Sequence, residues 1–366
     1  MRRSNLGMWL GMAAVSCILG LGASGDAKPV HQETKIGSLD PSPVRVVLSE
    51  TENGCHVALV KHLGNKFEVV EDGVAGPEFD EVAADLLVFS KNGKRFAYAA
   101  RNGQRWQVIV DGVAGSAFDG IGRGTLVLSP DGSRVAYAAS ASNQWHVVVD
   151  GVPGPAVEGV VGGTLAFSPD GKRFACAIAK GKKREVVVDG VAGPEFDVVG
   201  PGTVMFSPNG ARLAYAVVQG DKQVMVVDHV PGPGFDAIAN ETFVFSSDGK
   251  RTAYVARNEN GWHAVVDAEA GPPFYGIGQG LLMFSPDGKH VAYVAEQGDE
   301  WFVVVDGEEG SHYDGIATLE GGKAVSGSFD SLYCFCIEDN GIYLVAARTS
   351  SIVRAPDDGQ VDSSEP

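Results

Sequence analysis

The sequence predicts an all-β fold built from tandem copies of one 39-residue unit, because three series of residues recur in phase at that spacing. An aspartate ends a valine-rich run at Asp72, Asp111, Asp150, Asp189, Asp228, Asp267 and Asp306. Asn-Gly or Asp-Gly pairs close at Gly54, Gly93, Gly132, Gly171, Gly210, Gly249 and Gly288. The third series is mostly aromatic and consists of Phe79, Phe118, Val157, Phe196, Phe235, Phe274 and Tyr313. A fixed period of this kind is the signature of a repeat architecture.

Composition and turn chemistry indicate that each unit is made of short strands. The 366 residues include 49 Gly, 17 Phe and 9 Tyr, a balance typical of strands joined by tight turns. Asn-Gly or Asp-Gly between apolar runs predicts a β-hairpin, because both central residues of a type I′ turn need positive φ. Hairpins therefore recur once in every unit.

One copy shows four strands. They are expected at 125–129, 134–139, 145–150 and near 156–161, the last after a Gly-Pro turn at Gly154 and Pro155. Trp145 and Val147 share one face of the third strand while Val148 lies on the other, so both faces are apolar. A four-stranded sheet with two apolar faces must pack between neighbours, which predicts a β-propeller with its most apolar strand nearest the axis.

The repeated turn segment resembles that of a known family. FSPDGKRF at 167–174 and FSPDGKHVAY at 284–293 are similar to the WD-repeat-like motif of TolB-type propellers, and the resemblance covers roughly residues 43–348. It implies strands ordered from the axis outward and a role in extracytoplasmic protein contacts or alongside hydrolases. Residues 26–42 are too few for the α/β domain that precedes the TolB propeller, and the repeated VVVDGV-x-GP-x-FD departs from that pattern. A TolB-like role is therefore analogy alone.

The number of blades depends on the C-terminal part of the chain. Seven complete units span about 43–316, and a degenerate eighth is expected, with strands at 322–327, 331–337 and 341–347 and no fourth strand of its own. Residues 33–38, within the N-terminal segment 26–42, are expected to supply that strand and close the ring. Eight blades are favoured, and seven with an irregular C-terminal cap is the alternative. The propeller is placed at 43–350, and the acidic tail at 351–366 is expected to be disordered.

The N-terminus predicts export. Arg2 and Arg3 precede an apolar run from Leu6 to Leu21, followed by the small residues 23–25, which is the order of a secretory signal peptide at 1–25. A periplasmic or extracellular monomer follows, with no stable membrane span after processing. The alternatives are an uncleaved N-terminal anchor and a lipoprotein acylated at Cys17.

Charge and motif content argue against several classes of function. The net charge of −17 repels phosphate backbones, so no nucleic-acid partner is expected. The sequence has no Gly-x-Ser-x-Gly elbow, no phosphate-binding loop and no His pair at zinc-ligand spacing. The repeated aspartates are interpreted as turn caps. No catalytic residue, metal or cofactor is predicted.

Aromatic residues at two repeated positions are interpreted as packing. Trp106, Trp145, Trp262 and Trp301 begin strand three, where packing between blades is favoured and ligand stacking is the alternative. Strand two carries a tyrosine in Tyr98, Tyr137, Tyr215, Tyr254 and Tyr293, and Cys176 takes the remaining interior place as a packed substitute.

The copies differ from each other at two connections, which defines the candidate binding face. One joins strands two and three; the other, between strand four and the next strand one, is expected to supply Asp85, Arg123, Asn240, Glu241 and Gln279. Both should emerge at one end of an up-and-down blade, the second group ringing the channel. Loops on a rigid scaffold commonly carry recognition. The sequence predicts a non-catalytic scaffold for a protein or small ligand; the alternative is a small-molecule hydrolase or lyase at the channel mouth.

Overall fold

Every regular element in the described residues is a β-strand, which confirms the predicted all-β class. The computed structural model describes residues 43–52, 54–278, 280–317, 331–338, 341–348 and 351–354. Within those ranges no helix is long and apolar enough to cross a membrane. The predicted signal peptide and the segment 26–42 lie outside the described residues.

The chain divides into two compact units, the first ending at Gly193 and the second beginning at Pro194. The first two sheets of the first unit contain β1 (Pro43–Thr51), β2 (Gly54–Leu63), β3 (Lys66–Glu71), β4 (Val74–Phe79), β5 (Glu81–Phe89), β6 (Phe96–Asn102), β7 (Arg105–Val110) and β8 (Val113–Ala114). The third sheet contains β9 (Gly120–Ile121), β10 (Val127–Leu128), β11 (Val135–Ala141), β12 (Gln144–Val149) and β13 (Val152–Val157). The fourth contains β14 (Gly159–Val160), β15 (Ala166–Phe167), β16 (Phe174–Lys180), β17 (Lys183–Val188) and β18 (Val191–Phe196), and the boundary between the units falls within β18.

The second unit continues the same series of sheets. Its fifth and sixth sheets contain β19 (Val198–Val199), β20 (Met205–Phe206), β21 (Leu213–Gln219), β22 (Lys222–Val227), β23 (Val230–Phe235), β24 (Ala237–Ile238), β25 (Val244–Phe245), β26 (Thr252–Asn258), β27 (Gly261–Val266) and β28 (Glu269–Ala270). The seventh contains β29 (Gly276–Ile277), β30 (Met283–Phe284), β31 (Val291–Gln297), β32 (Glu300–Val305) and β33 (Glu308–Tyr313). The eighth contains β34 (Gly315–Ala317), β35 (Ser331–Glu338), β36 (Gly341–Arg348) and β37 (Ser351–Arg354).

Each sheet is an antiparallel meander of four strand positions in chain order. From the third to the seventh sheet, strand one is split into two short segments that both pair with strand two, as β9 and β10 pair with β11. Repeated four-stranded antiparallel sheets of this kind are the blades of a β-propeller, so the predicted fold class is confirmed.

The eighth sheet differs from the prediction. Its fourth position is occupied by β37, which pairs with β36 from Val345 to Arg348. The eighth unit therefore has its own fourth strand, and the boundary placed at residue 350 is four residues early. Residues 33–38, the predicted ring-closing strand, and 322–327 lie outside the described residues.

The positions of the two hairpin turns also correct the prediction. Strand four of the third sheet starts at Val152 rather than near 156, because Asp150 and Gly151 form the turn with φ of 51° and 80°. Two positive φ values are the mark of a type I′ turn. In the Pro130-Asp131-Gly132 turn only Gly132 has positive φ (73°), so that turn is not of the predicted type.

Neighbouring sheets pack a large side chain against small ones. Successive side chains of strand two lie on opposite faces of the sheet. Phe96 and Tyr98 therefore pack with the core of the preceding sheet, while Ala97 and Ala99 pack with Tyr137 of the following sheet. The same fit recurs in the second unit, where Tyr254 packs in a cluster with Ala214. Each of these tyrosines is nearly inaccessible to solvent, and burying such a ring contributes about 2 kcal/mol.

Candidate functional site

The repeated aspartates hold turns. The Oδ1 atom of Asp150 accepts the backbone N–H of Val135 at 3.0 Å, where strand two begins. The same bond recurs in the other copies with N···O distances of 2.8 to 2.9 Å. Each aspartate stands at positive φ in the strand-three to strand-four turn, but its carboxylate bonds to the start of strand two. The role is therefore structural, as predicted, although the bond ties two strands together instead of capping the turn.

A basic residue pairs with each repeated aspartate, and in several copies it also contacts the next sheet. Arg134 donates from Nε to Asp150 Oδ2 at 2.8 Å and from Nη1 to the Gly171 carbonyl of the next sheet at 3.2 Å. Its guanidinium also lies over the Phe167 ring, 5.2 Å from the centroid. His56 and His290 take the place of the arginine in two copies. These contacts fasten consecutive blades at the end that carries the Asp-Gly turns.

The SPDG turns at the same end are also internally bonded. Ser168 Oγ donates to Asp170 Oδ1 at 2.6 Å, and this hydroxyl lowers the pKa of Asp170 to about 2. The corresponding serine hydroxyls lower the pKa of Asp248 and Asp287 to about 2 as well. Asn92 accepts the same type of serine bond at 2.8 Å and donates Nδ2 to the next sheet. Either side chain therefore closes the turn.

A turn interrupts strand one in the middle of the sheet. Ile121 pairs with Ala139 and Val127 with Ala136, so strand one is longer than the stretch of strand two that it faces. The buried Thr125 Oγ1 donates to the Gly122 carbonyl at 2.7 Å and accepts the Ala138 N–H at 3.0 Å. This pair of bonds is repeated by Thr164, Thr203 and Thr242. We call the protruding segments between the two parts of strand one the strand-one turns.

Four of the five predicted binding residues lie in the strand-one turns or their bulged equivalent in β5. Arg123 and Asn240 occupy equivalent tips, Glu241 follows Asn240 with a φ of 59°, and Asp85 lies at the register shift of β5. Gln279 lies outside the described residues. The prediction that this group connects strand four to the next strand one is wrong, because strand one already begins at 120 in the third sheet. The group faces the middle of strand two.

The structure brings the predicted residues together in pairs. In the first unit, Arg123 Nε lies 3.8 Å from Asp85 Oδ2, and Gly163 donates its N–H to the Gly124 carbonyl at 2.7 Å. In the second unit, Asn240 and Glu241 are adjacent and both exposed. The Arg123 side chain is 91% exposed, and an ion pair this open contributes little to stability.

A further repeated carboxylate, which the sequence reasoning did not single out, occupies the true connection between strand four and the next strand one. Asp119 Oδ2 accepts the backbone N–H of Ser142 in the strand-two to strand-three hairpin at 2.8 Å, and its Oδ1 accepts from Arg105 at 2.6 Å. The signal was present as the residue after each member of the mostly aromatic series. The position is occupied by Asp80, Asp119, Glu158, Asp197, Asp236, Tyr275 and Asp314. These connections and the strand-two to strand-three hairpins thus share one end of the sheet, which we call the hairpin end.

The predicted packing residues are in the cores or at their edges. Trp106 and Trp262 pack at the periphery of hydrophobic clusters, with an arginine over each ring at 5.8 and 5.5 Å. Cys176 is buried in the cluster of the fourth sheet, and burial raises the pKa of its thiol to about 12. Burial also raises the pKa of Tyr98 to about 12. Such groups are un-ionised at neutral pH.

Comparisons with known proteins bear on the fold alone. No protein-family model and no curated protein matches the sequence. Similar solved structures include a eukaryotic initiation factor (15% identity, 87% of this chain, 89% of that chain, TM-score 0.45). Others are TolB from Acinetobacter baumannii (16%, 74%, 80%, TM-score 0.30) and the Dos1 propeller (11%, 79%, 88%, TM-score 0.36).

Proposed function

We propose that the chain is an exported, non-catalytic propeller scaffold that binds a partner protein through its strand-one turns. The observation that carries the proposal is that a fixed backbone presents different exposed side chains. The Thr125 bonds and their repeats set the same turn in successive sheets, whereas its tips carry Arg123, Asn240 and Glu241. Asp85 occupies the equivalent bulge of β5. Variable polar tips on a rigid scaffold suit recognition of another macromolecule.

The alternative use of repeated carboxylates in catalysis has less support. The Asp-Gly aspartates accept hydrogen bonds from the backbone at the start of strand two, and the SPDG aspartates accept them from a serine hydroxyl of their own turn. Their chemistry is therefore already engaged in holding the blade. The exposed tips of the strand-one turns, in contrast, are the charged and amide groups with room for a partner.

Export is supported by two independent features. The N-terminal order of basic, apolar and small residues is that of a signal peptide. Cys55 is disulfide-bonded, a state that persists in oxidising compartments. N-terminal sequencing of the chain recovered from the periplasm or medium should begin after residue 25. A cytosolic chain that retains residues 1–25 would contradict this part of the proposal.

The binding role can be tested by affinity capture from the envelope or medium. The variant in which Arg123, Asn240, Glu241 and Gln279 are all replaced by alanine should lose the captured protein while keeping its thermal unfolding midpoint. The matched control is Lys172→Ala with Lys289→Ala, which removes exposed charges from SPDG turns at 81% and 76% side-chain exposure. If the control abolishes capture and the quadruple variant does not, the strand-one turns are not the binding surface.

A further inference from the structure

Several repeats carry the same ion pair at the hairpin end, and the sixth sheet has neither of its two members. The carboxylate of the connection pairs with a basic residue that opens strand three: Asp80 with Lys66 at 2.7 Å, Asp119 with Arg105 at 2.6 Å and Asp236 with Lys222 at 2.6 Å. In the sixth sheet the corresponding residues are Gly261 and Tyr275. In the third and seventh sheets Gln144 and Glu300 open strand three, so this pair cannot form there either, but the carboxylate of the connection remains. The sixth sheet is the repeat in which both members are replaced, so neither a basic nor an acidic side chain occupies this position.

The backbone keeps this position open. Trp262 and Phe274 exchange two backbone hydrogen bonds of 2.9 and 2.8 Å, which fix the floor of the site. Gly261 has a φ of 135°, and a Cβ added there would lie 2.6 Å from the Phe274 carbonyl oxygen. A side chain at 261 therefore cannot be accommodated without a shift of the backbone, and the space in front of Trp262 is a property of this repeat.

The result is a polar cleft of about 650 Å³ within the second unit, with Tyr275 on its wall. Tyr275 is 74% exposed, and its backbone N–H donates to Gln297 Oε1 at 3.2 Å. The Arg257 guanidinium lies 5.5 Å from the centre of the Trp262 ring. The other polar residues of the lining are Asp236, Asn258, Glu259, Asn260 and Gln297. A tyrosine replaces an aspartate here, and the ring is presented to solvent instead of being packed.

The lining selects a class of ligand. An aromatic face beside amide, guanidinium and carboxylate groups matches a sugar ring, which has an apolar C–H face and hydroxyl groups on its edge. The Glu259 carboxylate of the lining disfavours a phosphorylated or otherwise anionic ligand, whereas the Asp236 carboxylate is already paired with Lys222. The volume lies in the range of small-molecule sites, roughly 300–1,000 Å³, and is too small for a folded partner to enter.

We propose that this cleft binds a neutral saccharide, with the pyranose ring stacked on Tyr275 and its hydroxyls bonded to Arg257, Asn258 and Gln297. The site is separate from the strand-one turns, so saccharide binding does not depend on the proposed protein-binding role. The quadruple alanine variant of those turns should bind saccharide as the wild type does.

The test is titration of the full chain with cellobiose, maltose, lactose and di-N-acetylchitobiose, followed by tryptophan fluorescence and saturation-transfer NMR. We expect at least one disaccharide to bind, and Tyr275→Asp, which installs the residue of the other repeats, to weaken it about tenfold or more. Tyr275→Phe keeps the ring and should stay within about threefold of the wild type, since a hydroxyl at the ring edge adds little to stacking. Val230→Asp is the control, because Val230 is an exposed residue (67%) of the same unit, next to the Asp228-His229 turn and outside the lining of the cleft.

Three outcomes would overturn the proposal. The first is that the wild type binds no saccharide at about 10 mM sugar, roughly ten times a millimolar dissociation constant. The second is that binding is unchanged in Tyr275→Asp. The third is that capture of a protein depends on Tyr275 while the sugars do not bind. If Tyr275→Asp fails to fold, Tyr275→Ala and the NMR contacts between sugar C–H protons and tyrosine ring protons in the wild type decide the matter. Transfer of saturation to one face of the sugar is the expected pattern.

Discussion

Polar side chains have different roles in two regions of the sheets. One region is the end that carries the Asp-Gly and SPDG turns, and the other is the set of strand-one turns. At the former, Asp150 and Asp170 each accept hydrogen bonds within their own hairpins, and Arg134 reaches the next sheet. In the strand-one turns a buried threonine and the backbone make the bonds, and the tip residue is left to solvent. The repeat therefore keeps side chains that hold the blade together and varies those that do not.

The largest effect is expected from Asp150→Ala. The change removes hydrogen bonds to Val135 and Arg134 and places alanine at a φ of 51°. Loss of charge-assisted bonds in a left-handed turn should lower the free energy of unfolding by about 2–3 kcal/mol. Urea denaturation measures it, with Asp150→Asn as the control, because asparagine tolerates this φ and retains an acceptor oxygen. A loss below about 0.5 kcal/mol would show that the repeat is not maintained by turn stability.

A smaller loss is expected from Thr125→Val in the strand-one turn. Valine has nearly the same shape, but it cannot accept the Ala138 N–H or donate to the Gly122 carbonyl. Leaving such a buried N–H unsatisfied should cost about 1–2 kcal/mol in the free energy of unfolding. Thr125→Ser keeps the hydroxyl and serves as the control. Equal unfolding midpoints for the valine and serine variants would mean that the backbone alone sets this turn.

The period, the strand content and the structural role of the aspartates were predictable, because each rests on local chemistry repeated in phase. The split of strand one was not, since it depends on Thr125 bonding across to Ala138 in another strand, a contact that no local pattern reveals. The start of strand four was misplaced because Gly154 and Pro155 are common turn residues. The turn is formed instead by Asp150 and Gly151, which both have positive φ.

The exposure of candidate residues was predictable from the sequence, but their placement was not. Arg123 and Asn240 stand out because they differ between copies, and the structure does expose them. Their position opposite the middle of strand two follows from register, which the sequence leaves open. Tyr275 could have been found from the sequence alone, as the one member of the connection series, from Asp80 to Asp314, that is not acidic.

A moderate dependence of stability on pH is expected from the SPDG aspartates. Asn92 and Asn209, which stand at the aspartate position in two of the turns, do not contribute to it. The serine hydroxyls hold the pKa of Asp170, Asp248 and Asp287 at about 2, below the unfolded value of about 3.9. A lowered folded pKa contributes stability above the unfolded value, and the contribution is lost as pH falls toward 2. The triple Asp→Asn variant should therefore lose less of its urea midpoint between pH 6 and pH 2.5 than the wild type. Equal losses would exclude a contribution from these carboxylates.

The smallest effect on stability is expected from Arg123→Ala. This variant tests most directly whether the tips of the strand-one turns have no part in holding the blade together. The side chain is 91% exposed and its pairing with Asp85 at 3.8 Å is open to solvent, so the free energy of unfolding should change by less than about 0.5 kcal/mol. Arg134→Ala is the matched control, because that arginine bonds both Asp150 and the next sheet, and its loss should exceed 1 kcal/mol, roughly the worth of one charge-assisted bond. If the two arginine variants unfold at the same urea concentration, the exposed residues of the strand-one turns contribute to stability as much as Arg134 does. The sequence differences between the copies at these turns would then need another explanation.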